Sequence, residues 1–172
     1  MDTAVPARNR FFNGKEGLAL GFLTVALVYL FIAWGLGLDL FAPSDYDSNM
    51  LQAKTWLSGS IALDQDYPWL EIAQYQGEYF ISFPPVPAVM IMPWVLVFGD
   101  QTPSMFIVFL YFMASYVVGY FLARRFGYSD ALSACLGAFL VLGCNMLEVT
   151  HYGGVWNMGQ ALGFLLTLLA FY

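Results

Sequence analysis

Residues 17–38 read GLALGFLTVALVYLFIAWGLGL and hold no charged side chain over 22 positions. A helix rises ~1.5 Å per residue, so this run extends ~33 Å and can cross a ~30 Å hydrocarbon core. It is too long for the ~7–15-residue apolar core of a signal peptide. Arg8, Arg10 and Lys15 precede it, and basic residues tend to stay on the cytoplasmic side. The stretch therefore predicts a membrane anchor with a cytoplasmic N-terminus.

The composition of the whole chain also indicates a membrane protein. Of its 172 residues, 60% are hydrophobic and 10% are charged, whereas a soluble domain carries about 25% charged residues. The formal net charge is -6. Most of the acids follow the first apolar run: Asp39, Asp45, Asp47, Asp64, Asp66, Glu71, Glu78 and Asp100. Such an acidic balance excludes nucleic acid as a partner, because binding to phosphates needs Lys and Arg.

Three later apolar runs, at 103–123, 131–147 and 157–172, predict further spans. Arg124 and Arg125 follow the first of them and indicate a cytoplasmic turn. The last run stops after 16 residues, or ~24 Å, without a basic residue. We therefore expect the chain to be one piece of a longer protein.

Residues 84–98, PPVPAVMIMPWVLVF, are apolar but contain four prolines. The 13 residues of 86–98 would extend only ~20 Å as a helix, which is too short to cross the membrane. If they did cross, Arg124 and Arg125 would lie outside, against the positive-inside tendency. This stretch and residues 47–58 therefore predict two extracytoplasmic juxtamembrane helices in a loop at 39–101. The expected fold is all-α and polytopic, with four transmembrane helices.

Asp45 and Asp47 follow the first predicted span directly, on its extracytoplasmic side. Two carboxylates one residue apart can share a metal ion, or divide into a base and its orienting partner. The alternative is structural, with Asp47 capping the helix at 47–58 and Asp45 exposed to water. Spacing alone does not decide between these interpretations.

A second predicted external loop, residues 148–156, contains Glu148, His151 and Tyr152. A loop at the mouth of a helix pair can contact a phosphate or a sugar, so these three residues are candidate substrate ligands. The alternative is an interfacial His-Tyr pair beside the glycines at 153 and 154. Glu148 would be costly against lipid, so we expect it to face the helix bundle or external water.

The order of these features resembles the GT-C glycosyltransferases, which are membrane enzymes that use polyprenyl-phosphate sugars. The resemblance lies in the stretches SDYDSNMLQAKTWLSGSIAL, GEYFISFPPVPAVMIMPWVLVFGD, LARRFGYSDALSACLGAFL and THYGGVWNMGQALGFLLTLLAFY. The first two stretches are similar, in that order, to the family's acidic residue before an A-x-x-L-x-x-G helix and to its G-x-Y-x-x-x-P-P segment that ends in FG. The third is similar to its cytoplasmic turn, and the fourth to the loop and the span that follow. Residues 1–172 would then form the N-terminal transmembrane part of such an enzyme.

The resemblance implies roles for particular residues. Asp45 stands where the family's catalytic base usually lies, and Asp47 would be the second acid. The implied reaction moves a sugar from a polyprenyl-phosphate donor to an extracytoplasmic acceptor with inversion. Some branches use a divalent cation held by acids, so Mg²⁺ or Mn²⁺ at Asp45 and Asp47 stays open. The implied location is a bacterial or archaeal cell membrane.

Two other functions fit the residues. The chain could be a non-catalytic membrane subunit or scaffold with a further subunit as its partner, which its short length favours. It could also be a fragment of a transporter or flippase, but no predicted span holds a charge near its centre, as coupled transporters usually do.

Overall fold

The computed structural model describes residues 16–172, so Arg8, Arg10 and Lys15 lie outside the described residues. The helices are α1 (Glu16–Gly35), α2 (Ser48–Leu57), α3 (Pro85–Phe98), α4 (Ser104–Arg125), α5 (Asp130–Leu142), α6 (Met146–Val149) and α7 (Val155–Phe171), with a 3₁₀ turn at Gly99–Gln101 after α3. Two strands, β1 (Ile72–Tyr75) and β2 (Glu78–Ile81), lie between α2 and α3. The prediction of a helical fold is confirmed, with this pair of strands as the exception.

Helices α1 and α4 are long and apolar enough to cross a membrane by length and composition. They have 20 and 22 residues, whereas α3, α5 and α7 are shorter apolar helices. Helix α1 exposes Leu23, Leu27 and Phe31 at 55%, 56% and 69% of their surface. A helix with an exposed apolar side of this kind suits contact with lipid better than contact with water.

The strands pair as an antiparallel hairpin, with Ile72 opposite Ile81 and Tyr75 opposite Glu78. Gln76 and Gly77 form the turn, with φ of 52° and 85°. Two successive residues with positive φ are typical of a type I′ turn, whose twist matches that of the two strands. Each strand is only four residues long, so its alternation is too brief to predict from the sequence.

Helix α4 is the centre of the fold and packs on both sides. One face joins α2, α3 and α7 around Ile91, Val108 and Leu162. The other face joins α1 and α5 around Tyr29 and Phe112, among others. The chain thus forms two apolar clusters that share one central helix.

The helices run in alternating directions, which brings two sets of helix ends together. At one end of the bundle, Asp130 at the start of α5 accepts hydrogen bonds from the Gly17 backbone N–H, at 3.0 Å, and from the Tyr120 hydroxyl. At the other end, the hydroxyl of Tyr29 in α1 donates to the carbonyl oxygen of Thr150, shortly before α7. The loop that carries Asp45 and Asp47 follows α1 and therefore lies at this second end.

Candidate functional site

A pocket of about 470 Å³ opens where the loop after α1 meets the start of α7. Five phenylalanine, tyrosine or tryptophan side chains line it: Tyr46, Trp69, Phe83, Tyr152 and Trp156. Its polar lining includes Ser48, Glu71, His151 and Asn157. Pockets of about 300–1,000 Å³ with aromatic walls and a few polar groups are typical small-molecule sites.

Backbone and ring contacts hold the pocket walls together. The Val155 N–H, at the start of α7, donates to the carbonyl oxygen of Tyr46 at 3.1 Å. The indole N–H of Trp69 donates to the carbonyl oxygen of Asp45 at 3.3 Å. The rings of Phe83 and Trp156 meet edge to face, with centroids 4.9 Å apart. These contacts join three loop segments that are distant in sequence.

Asp45 lies beside this pocket, with an exposed side chain. Its chain neighbours Ser44 and Tyr46 both line the pocket, and its carbonyl oxygen is held by Trp69, which lines it too. Asp45 itself does not line the pocket, so the structure places its backbone at the rim, between two lining residues.

Asp47 is 2% exposed and caps α2. One carboxylate oxygen accepts the Met50 N–H at 3.0 Å, and the other accepts the hydroxyl of Ser104 at the start of α4. Burial raises the pKa of Asp47 from 3.8 to about 6, while hydrogen bonds from Ser104, Met50 and Asn49 act in the opposite direction. The structure thus places Asp47 as a link between α2 and α4.

These contacts do not fit a divalent cation held by Asp45 and Asp47. Both oxygens of Asp47 already accept hydrogen bonds inside the protein. Within residues 16–172, no three His, Cys, Asp or Glu side chains group closely enough to hold a metal ion.

His151 is 2% exposed and stacks on Tyr29 of α1, with ring centroids 4.4 Å apart and planes 10° apart. Its Nδ1 faces the carbonyl oxygen of Leu147, and its Nε2 lies 3.4 Å from that of Tyr29. One edge of His151 reaches the pocket, but these contacts chiefly fix the loop before α7 against α1.

Tyr152 and Glu148 are both exposed, but they differ in position. Tyr152 lines the main pocket. Glu148 faces a separate hollow of about 390 Å³ beside the end of α5, which Tyr152 also borders. The structure therefore brings Tyr152 and His151 to the pocket but not Glu148.

Glu71 is the pocket carboxylate that the sequence analysis did not single out. It comes directly before β1 and lines the pocket with Trp69. The signal available in the sequence was an acid two residues after a tryptophan, in PWLEI. That local pattern does not show that Glu71 shares a pocket with residues at the start of α7.

The raised pKa of Asp47 predicts that this residue contributes to the pH dependence of stability. The folded-state pKa of about 6 is higher than the ordinary 3.8, so the folded protein binds the proton more tightly than the unfolded chain. The stabilisation of the folded state by Asp47 is therefore greatest below pH 3.8, and it is lost as the pH rises through 6. At about 1.4 kcal/mol per pH unit, the loss is on the order of 3 kcal/mol.

Asp47→Asn should remove this pH dependence, because Asn is also a good helix cap and does not ionise. Thermal unfolding between pH 4 and pH 7 is the measurement, and the difference between the wild type and the variant isolates Asp47. Parallel pH profiles for the two proteins would show that Asp47 does not titrate in this range.

No protein-family model, no curated protein and no solved structure matches the chain.

Proposed function

We propose that the protein is a membrane glycosyltransferase that moves a sugar from a polyprenyl-phosphate donor to an acceptor hydroxyl outside the cytoplasm. The observation that carries this proposal is the aromatic pocket with Glu71 inside it and Asp45 at its rim. Aromatic faces stack on sugar rings, while carboxylate and amide groups accept and donate hydrogen bonds to sugar hydroxyls. The resemblance to GT-C enzymes agrees with this chemistry.

The proposed membrane arrangement has four spans, formed by α1, by α4, by α5 together with the short α6 that continues it, and by α7. Arg124 and Arg125 end α4 at the side of the bundle opposite the pocket. The positive-inside tendency places that end in the cytoplasm and the pocket outside, level with the lipid head groups. Helices α2 and α3 then lie along the outer surface, where a lipid-linked donor can present its sugar.

The charge of the pocket favours the sugar over the phosphate as its occupant. Glu71 is the charged residue among those that line it, and no Lys or Arg of the described chain lines it. A phosphate there would meet a negative carboxylate without a compensating cation. The pocket therefore binds a sugar or the acceptor hydroxyl, and the donor phosphate lies outside it.

In the proposed reaction, the Asp45 carboxylate takes the proton of the acceptor hydroxyl while that oxygen attacks the anomeric carbon. A new carbon–oxygen bond forms as the bond between the anomeric carbon and the phosphate oxygen breaks. Polyprenyl phosphate leaves with the electron pair, and the configuration at the anomeric carbon inverts. Tyr46 and Trp69 hold the backbone of Asp45 in place through the contacts described above.

The test of this proposal is sugar transfer by the full-length protein in membrane vesicles. Polyprenyl-phosphate hexoses and pentoses are the donors, and release of free polyprenyl phosphate is measured by mass spectrometry. We expect donor-dependent release with the wild type and an increase in KM of about tenfold for Trp69→Ala, because the substitution removes an aromatic face against which a sugar ring can pack. A tenfold change corresponds to about 1.4 kcal/mol.

Trp34→Ala is the matched control, because Trp34 lies near the end of α1, is 77% exposed and does not line the pocket. It should leave KM unchanged. If no donor is consumed, or if Trp34→Ala and Trp69→Ala have equal effects on KM, the pocket is not a sugar site.

A further inference from the structure

A second pocket, of about 570 Å³, lies between α2, the loop that follows it and the turn of the hairpin. It shares no lining residue with the aromatic pocket described above. Its lining is rich in side chains that carry oxygen: Thr55, Ser58, Ser60, Asp64, Tyr67, Glu78 and Tyr79. All of its walls come from residues 51–79, so this part of the chain forms the pocket by itself.

Contacts within the loop fix the walls of this second pocket. The Leu63 N–H donates to the carbonyl oxygen of Tyr79 at 2.8 Å, which joins the loop after α2 to β2. The Tyr67 hydroxyl donates to Oδ1 of Asp64 at 3.0 Å. Side chains that the fold already holds in place lose less freedom when a ligand binds. The second pocket is therefore largely formed before a ligand enters it.

The charges of the second pocket disfavour an anionic ligand. Asp64 and Glu78 line it, and in the described part of the chain Lys54 is the one base that does so. Asp100 already compensates Lys54, because its Oδ1 lies 2.5 Å from the Lys54 Nζ. A phosphate or carboxylate in the pocket would therefore face two carboxylates without a free cation. A metal ion is also disfavoured, because no three His, Cys, Asp or Glu side chains of residues 16–172 group together.

The chemistry of the lining fits a ligand with many hydroxyl groups and no negative charge. Hydroxyls donate strong, charge-assisted hydrogen bonds to carboxylates such as those of Asp64 and Glu78. The rings of Tyr67 and Tyr79 offer aromatic faces beside these acceptors, as a sugar ring requires. A peptide would instead need an apolar socket for an anchor side chain, and Leu63 of the apolar lining is only 7% exposed. These features favour a saccharide.

The second pocket lies close to the proposed catalytic base. Tyr67 lines the second pocket and Trp69 lines the aromatic pocket, and their rings meet edge to face with centroids 5.7 Å apart. The Trp69 indole N–H in turn donates to the carbonyl oxygen of Asp45. The ring pair thus separates the second pocket from Asp45. A saccharide that occupies this pocket and also presents a hydroxyl to Asp45 needs more than one sugar ring to pass the pair.

We propose that the second pocket binds an oligosaccharide without acidic groups, and that this oligosaccharide is the acceptor of the transferred sugar. Its role as the acceptor rests on the proposed function, whereas its binding does not. Asp64 and Glu78 accept hydrogen bonds from its hydroxyls, and Tyr67 and Tyr79 pack against its rings. The end of the oligosaccharide that passes Trp69 carries the hydroxyl that attacks the donor.

The experiment is isothermal titration calorimetry of the full-length protein in detergent, without a polyprenyl-phosphate donor. The probes are neutral disaccharides, trisaccharides and tetrasaccharides of glucose, galactose, mannose and arabinose. We expect the wild type to bind at least one of these series. Asp64→Ala and Glu78→Ala should each weaken that binding about tenfold, because each removes a charged acceptor of ligand hydroxyls. Circular dichroism of each variant shows whether the protein still folds.

Asp66→Ala is the matched control, because Asp66 is an exposed acid of the same loop that does not line the pocket. It should leave the affinity unchanged. Binding that Asp64→Ala and Glu78→Ala weaken supports the saccharide site even if no sugar is transferred, and then only its role as the acceptor site fails with the proposed function. No binding of any probe would overturn the proposal, as would binding that neither pocket variant weakens or that Asp66→Ala weakens equally.

Discussion

Replacing Asp45 with Asn is expected to slow sugar transfer by about 10²- to 10⁴-fold, the usual contribution of a positioned general base. Asn has nearly the same shape, but it cannot take the proton of the acceptor hydroxyl. Because the Asp45 side chain is exposed and its contact with Trp69 uses the backbone carbonyl oxygen, the substitution leaves the fold unchanged. The measurement is kcat for release of polyprenyl phosphate in membrane vesicles.

Two further acid-to-amide substitutions make this prediction specific to Asp45. Asp47→Asn should keep kcat within about threefold of the wild type, because Asp47 is buried and bonded to Met50 and Ser104. Glu71→Gln should raise KM by about tenfold and leave kcat nearly unchanged, because the amide keeps part of the hydrogen bonding to a sugar. Full activity of Asp45→Asn would show that Asp45 is not the base. A loss of kcat in Glu71→Gln beside it would transfer that role to Glu71.

Much of the helical framework could be predicted from the sequence because its signals are local. An uncharged run of sufficient length predicts a helix wherever it lies, and α1 and α4 coincide closely with the runs at 17–38 and 103–123. Asp47 as a helix cap is also a local signal, and the structure shows the cap. The run at 131–147 is divided instead, because α5 ends at Leu142 and the short α6 follows.

The arrangement of the site could not be predicted, because it depends on contacts between segments far apart in sequence. The pocket joins the loop after α1, the start of the hairpin and the loop before α7, and no spacing along the chain encodes that meeting. His151 shows the same limit. Its type and loop position indicate a ligand, but the ring of Tyr29, 122 residues away, covers it.

Gly137→Leu is expected to lower the stability of the helix bundle by about 3 kcal/mol or more, since overpacking typically costs 1–3 kcal/mol even where side chains can adjust. Gly137 is buried where α5 crosses α4, and a methyl group there would lie 3.1 Å from both the carbonyl oxygen of Tyr116 and the backbone nitrogen of Tyr120. These are backbone atoms, which cannot rotate away as a side chain can.

The measurement is thermal unfolding in detergent, followed by helical circular dichroism, and Gly35→Leu at the end of α1 is the matched control. It makes the same change in another apolar helix at a position with open space around the added carbon, so its midpoint should stay within a few degrees of the wild type. Helix α4 packs against α5 on one face and against α7 on another. Gly137→Leu is therefore expected to separate α4 from α5 and to weaken the packing of α7 against α4. Loss of stability should therefore be accompanied by loss of sugar transfer. Equal midpoints for the two variants would mean that α5 does not cross α4 at Gly137.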